Sequence, residues 1–120
     1  MEGAEGGWRF PIPPRDQLAG MASLEGLDEE HLGLLYFRAV PQPFSTYTQP
    51  LRLTNPAREA LPKVGIVCSL SLNRMREMIA EGNPSFRERA GPDWRFTELP
   101  TGHYPMLSRP DDLAAMLLDR

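Results

Sequence analysis

The spacing of apolar residues changes character near residue 61 of this chain. Before that point the clearest pattern is Leu32, Leu35, Tyr36 and Ala39, which follows i, i+3, i+4 and predicts a helix running to about Arg38, with Leu34 and Phe37 widening its stripe. Asp28 suits its N-cap, Glu29 and Glu30 complement its dipole, and Leu27 can staple onto Leu32. Pro41-Gln42-Pro43-Phe44 stops it, and residues 45–61 predict an irregular connection. Beyond Leu61 the run Lys63–Ser69 is continuously apolar, as in a parallel strand buried on both faces. Leu72–Glu81 predicts a helix with Leu72, Met75, Met78 and Ile79 on one side, and Gly82 suits its C-terminal cap. Trp94–Leu99 alternates as a pleated strand does. Ser108-Arg109-Pro110-Asp111 reads as a capping-box start for a last helix that presents Leu113, Met116 and Leu117 to the sheet, with Asp111 and Asp112 serving its dipole. The second half is therefore a parallel β-α-β-α unit with a right-handed crossover, and the class is α/β.

Composition limits what precedes this unit. Eight of the thirteen prolines fall at or before Pro62, so the first half can hold little regular structure. Residues 1–7, rich in Gly and Glu, have nothing to bury and are expected to be disordered. Trp8–Arg15 reads as an extended polyproline-like arm; its Pro11-x-x-Pro14 beside Arg15 fits a minimal SH3-ligand pattern, but that pattern is common by chance, and a strap laid over a domain surface is the better reading. At 120 residues the chain holds one small domain. A net charge of −3, with no basic stripe, argues against a nucleic-acid partner. No apolar run approaches a membrane span, and the acidic, glycine-rich start is unlike a signal peptide. The single cysteine, Cys68, reads as a buried thiol in a reducing cytoplasm.

Candidate chemistry converges on one histidine. His103 follows Gly102 on a loop at the carboxyl end of a predicted strand, where open α/β sheets place ligands and catalysis. On residue type and spacing alone, a loop histidine is more often a solvated or hydrogen-bonded surface group. His31 lies in the first turn of the earlier helix beside acidic neighbours, and reads as solvated without a chemical role. No His, Cys or carboxylate stands at metal-ligand spacing from it, so no metal and no cofactor is expected.

The stretch Gly102-His103-Tyr104-Pro105-Met106-Leu107-Ser108-Arg109-Pro110, with Leu113 and Leu117, resembles the C-terminal signature of the α/β-hydrolases, especially the methylesterase and hydroxynitrile-lyase-like branch; a looser resemblance reaches back to about Trp8. It implies a partial α/β-hydrolase fold: residues 8–60 would be an irregular helical cap, and residues 61–120 the last two strands and final helix. It makes His103 the catalytic base of a carboxylic-ester hydrolase, or related lyase, acting on a small apolar substrate. Ser71 falls at the position of the family's acid, and a serine there brings no negative charge for the imidazolium. Phe44, Tyr47, Leu51 and Tyr104 become candidates for lining the pocket, although the first three read better as ordinary packing residues. Ester cleavage also needs a serine on a Gly-x-Ser-x-Gly elbow. No such motif occurs, nor does a Gly-rich oxyanion loop. The chain thus reads as the C-terminal half of such an enzyme, from a truncated or split reading frame, inactive alone.

Two other readings stand beside it. The chain could be a non-catalytic protein that binds a partner, or itself, through the Pro-rich arm or an open strand edge. It could also use a local pair, Ser69 or Ser71 with His103, although neither serine sits in an elbow.

Overall fold

The structure, a computed structural model, describes residues 8–119, so the expectation for residues 1–7 lies outside the described residues. The first half opens with β1 (Arg9–Phe10), followed by α1 (Arg15–Met21) and α2 (Glu29–Arg38). The Pro-rich arm is laid against α2: the Tyr36 hydroxyl donates to the Pro13 carbonyl at 2.8 Å, and Arg15 grips Glu29 through two guanidinium nitrogens. Asp28 caps α2 by accepting from the His31 amide at 2.8 Å, and His31 Nδ1 lies 3.5 Å from the Asp28 amide. His31 is therefore the returning half of a capping box, a structural role that its acidic neighbours concealed. After α2, β2 (Gln42–Pro43) pairs antiparallel with β1, α3 (Ser45–Thr48) adds one turn, and Pro56–Ala60 forms a 3₁₀ turn.

The second half follows the predicted order. β3 (Lys63–Val67), α4 (Leu72–Ala80), a 3₁₀ segment (Pro84–Ala90) and β4 (Trp94–Glu98) form a parallel unit in register Lys63↔Trp94 to Val67↔Glu98. α4 ends in a Schellman motif: Gly82, at φ +74°, donates to Ile79 and Asn83 donates to Met78. The one-turn α5 (Pro105–Ser108) and α6 (Pro110–Leu118) complete the chain. This is a mixed helix-and-strand architecture with a small parallel sheet.

Burial corrects several expectations. The apolar strand ends at Val67, no residue in it is fully buried, and Val64 is 52% exposed. Its apolar residues suit a two-sided core, but among the described residues β4 is its only strand neighbour, and no described strand pairs with either outer edge of the two-stranded sheet. Leu117 of α6, expected against the sheet, is 60% exposed for the same lack of covering layers. Cys68 is half-buried, and desolvation alone pushes its thiol pKa up. Among the described residues, Leu18, Leu32, Met75 and Leu99 are the buried apolar side chains, and every residue from Val40 to Pro62 is exposed. The chain presents 9512 Å² to solvent, where a monomer of 13.5 kDa presents about 6,500 Å². Among the described residues, no helix is long and apolar enough to cross a membrane.

Candidate functional site

His103 stands out from a backbone that is otherwise immobilised. The β3–β4 ladder runs one bond past the strand, from the Leu99 amide to the Val67 carbonyl at 2.8 Å. Leu99, Thr101 and Gly102 are then buried, and His103 emerges exposed. The Gly102 amide donates to the Glu25 carbonyl at 3.2 Å and the His103 amide to the Ser23 carbonyl at 2.8 Å. Only glycine fits at 102, because a Cβ there would sit 2.6 Å from the Glu25 carbonyl oxygen and 2.7 Å from that of Ser23. The imidazole meets the Tyr104 ring edge to face at 5.4 Å and has no hydrogen-bond partner among the described residues.

Cys68, Ser69, Leu70, Trp94, Phe96 and Met106 line, with His103, an open cavity of about 470 Å³. Its floor depends on Gly65, over which Phe96 lies: a Cβ at 65 would meet that ring at 2.5 Å. Phe96 in turn stacks on Trp94, with centroids 5.5 Å apart.

The predicted site residues are only partly brought together. Ser71 is the N-cap of α4, and its hydroxyl accepts from the Arg74 amide at 3.1 Å, so a lone pair of the serine at the acid position is already engaged in capping. Ser69 shares the cavity with His103. Phe44 and Tyr47 cluster with Phe10 near the β1–β2 ladder, at 38% and 68% exposure, and Leu51 is 81% exposed. None of the three lines the His103 cavity. Tyr104 faces α2 and lines a second hollow with Leu34, Leu35 and Arg38. Ser108 does not cap α6: Arg109 occupies that position, and the Ser108 hydroxyl instead contacts Thr101 at 2.6 Å. A tertiary partner has taken the group that the local pattern assigned to the helix.

The sequence reading overlooked Glu98. From the end of β4 its carboxylate crosses to the start of α4 and accepts from the Leu72 amide at 2.8 Å, beside Ser71. A carboxylate there answers both a free N–H and the positive end of the helix dipole. Alternation along the strand put Glu98 on the same face as Trp94 and Phe96, but no local signal ties it to residue 72.

Among the described residues, no three His, Cys, Asp or Glu side chains gather as metal ligands would. The arrangement offers one accessible imidazole on a fixed loop, beside an apolar cavity, without a nucleophile or acid bonded to it. Compared with family models, curated proteins and solved structures, the chain matches none.

Proposed function

We propose that this chain supplies the general base, His103, of a carboxylic-ester hydrolase of the α/β-hydrolase type, and that the nucleophilic serine comes from a segment outside it. The supporting observation is the parallel β3–α4–β4 unit, which delivers the loop holding Ser71 and the loop holding His103 to the same carboxyl end of the sheet. In that setting the imidazole takes the serine proton and returns it to the leaving alcohol. The substrate class is a small apolar ester, in keeping with a cavity lined by Trp94, Phe96 and Met106. No metal or cofactor takes part in this scheme.

Ser71 is the weak member of such a triad, and its N-cap position makes it testable. Asp caps a helix as well as Ser does, so Ser71→Asp adds a charge without removing the cap. The chain alone should hydrolyse p-nitrophenyl acetate and butyrate no faster than free imidazole. Co-expressed with a chain carrying a Gly-x-Ser-x-Gly elbow from the adjoining reading frame, it should gain esterase activity. His103→Ala should then reduce kcat by about 10³-fold or more, and Ser71→Asp should raise it several-fold. Saturable turnover by the chain alone, lost in His103→Ala, would instead establish the local Ser/His pair.

A second reading rests on the exposed run from Val40 to Pro62 and on the open sheet edges. A non-catalytic protein that docks on a partner would leave the same surfaces uncovered when free. The Pro-rich arm contributes less to that reading, because Arg15 is held by Glu29 and Pro13 by Tyr36.

A further inference from the structure

The loop carrying His103 is closed from two sides, and the strand that delivers it makes neither closure. On the first side, the Ser108 hydroxyl lies 3.2 Å from the Tyr104 carbonyl, to which it can donate. It also lies 2.6 Å from the Thr101 hydroxyl, a contact in which either oxygen can be the donor. One serine hydroxyl thus ties together the residues on both sides of His103. On the second side stands the turn from Ser23 to Gly26, whose first and third carbonyls accept from the His103 and Gly102 amides. Gly26, at φ +83°, lets this turn lie on the first closure: a Cβ there would be 2.9 Å from Ser108 Cβ and 3.2 Å from Thr101 Oγ1. Turn, hydroxyl pair and His103 loop form one interlocked body, built from segments at opposite ends of the sequence.

We infer that Thr101, Ser108 and the Ser23–Gly26 turn are positioning residues for the His103 imidazole, coupling the direction in which the base points to the first quarter of the chain. A loop that merely joined a strand to a helix would need neither a hydroxyl relay across its neck nor two amide bonds to a distant turn. An exposed ring on a held backbone has few other ways to be aimed, since its own side chain has no hydrogen-bond partner among the described residues. His103 being a base rests on the function proposed above. The clamp is a property of the free chain.

Thr101→Val keeps the shape and removes the hydroxyl that meets Ser108, while Thr101→Ser keeps it. In Thr101→Val the His103 amide should exchange with solvent about tenfold faster, and the proton–proton contact between the His103 and Tyr104 rings in NMR spectra should disappear. Exchange in Lys63–Val67 and Trp94–Glu98 should stay unchanged, and Thr101→Ser should behave as the parent. Gly26→Ala, acting from the other side of the clamp, should give the same local signature if Thr101→Val does not fold. In the complemented esterase, Thr101→Val should lower kcat and leave KM unaltered. An unaltered His103 amide in Thr101→Val would overturn the inference, as would equal effects of Val and Ser or a uniform loss of protection through both strands. The exchange and ring-contact readouts need no turnover, so a failure of esterase complementation bears on the proposed function alone.

Discussion

Gly102→Ala should destabilise this protein although it adds a single methyl group. The new Cβ would lie 2.6, 2.7 and 2.8 Å from the Glu25 oxygen, Ser23 oxygen and Glu25 nitrogen, all of them backbone atoms that no rotamer change can move aside. The turn must withdraw, which breaks or stretches the Gly102–Glu25 and His103–Ser23 hydrogen bonds. Each is worth about 0.5–1.5 kcal/mol net, and forcing a methyl into a filled site adds about 1–3 kcal/mol. Alanine's lower entropy in the unfolded chain returns about 0.4–1 kcal/mol. The net loss is about 3 kcal/mol, a drop in Tm of about 9–18 °C for a chain of this length. Gly33 provides the control, because it is exposed in the middle of α2 and a methyl added there would meet nothing within 4 Å. Gly33→Ala should stabilise by about 1 kcal/mol through helix propensity. Thermal and urea unfolding followed by circular dichroism would give both values. If Gly102→Ala proved as stable as the parent while Gly33→Ala gained, the Ser23–Glu25 turn would not be pressed against the His103 loop.

Two further outcomes follow from surface and charge. The free chain should self-associate at micromolar concentration through its exposed apolar residues and open strand edges; a monomer in analytical ultracentrifugation, with slow amide exchange across Lys63–Val67, would count against this. Acid should weaken the fold, because the His31 amide holds the Asp28 carboxyl below its usual pKa and the Arg15 guanidinium does the same for Glu29. With folded values lowered, the stabilisation is complete above the usual carboxylate range, about pH 4, and is lost as pH falls through the lowered values. Both groups are solvent-exposed, so the effect is modest, and Asp28→Asn should flatten the slope of stability against pH below about pH 4.

The sequence carried the second half of the fold well, because helix and strand periods there extend over enough residues to be distinguished. Leu72–Ala80 with its Gly82 cap and Trp94–Glu98 appear almost as spaced. The elements that escaped, β1, β2, α3 and α5, are two to four residues long, too short to carry a period. α1, at seven residues, has Leu18 as its one buried side chain and thus no stripe to read. Apolar content showed that Lys63–Val67 could be covered on both faces, but no pattern reports whether covering layers exist. The position of His103 on a loop beyond β4 was legible from Gly102 and the strand before it. The clamp was not, since Thr101, Ser108 and Gly26 meet only in three dimensions, and Ser108 carried a stronger local signal as a helix cap.

The pairing of Ser23 and Glu25 with the His103 loop also bears on how the chain reaches its final form. Glu25 and Gly102 are separated by about 77 residues, and closing so long a loop costs entropy before any contact repays it. The β3–α4–β4 unit, with contacts nearer in sequence, can assemble earlier. The turn must wait for a partner about 77 residues further along, so the histidine loop should acquire its geometry after the sheet. A nascent or heat-stressed chain would retain its small sheet while its imidazole still wandered, and recovery of the His103–Tyr104 ring contact would lag behind recovery of strand structure on refolding.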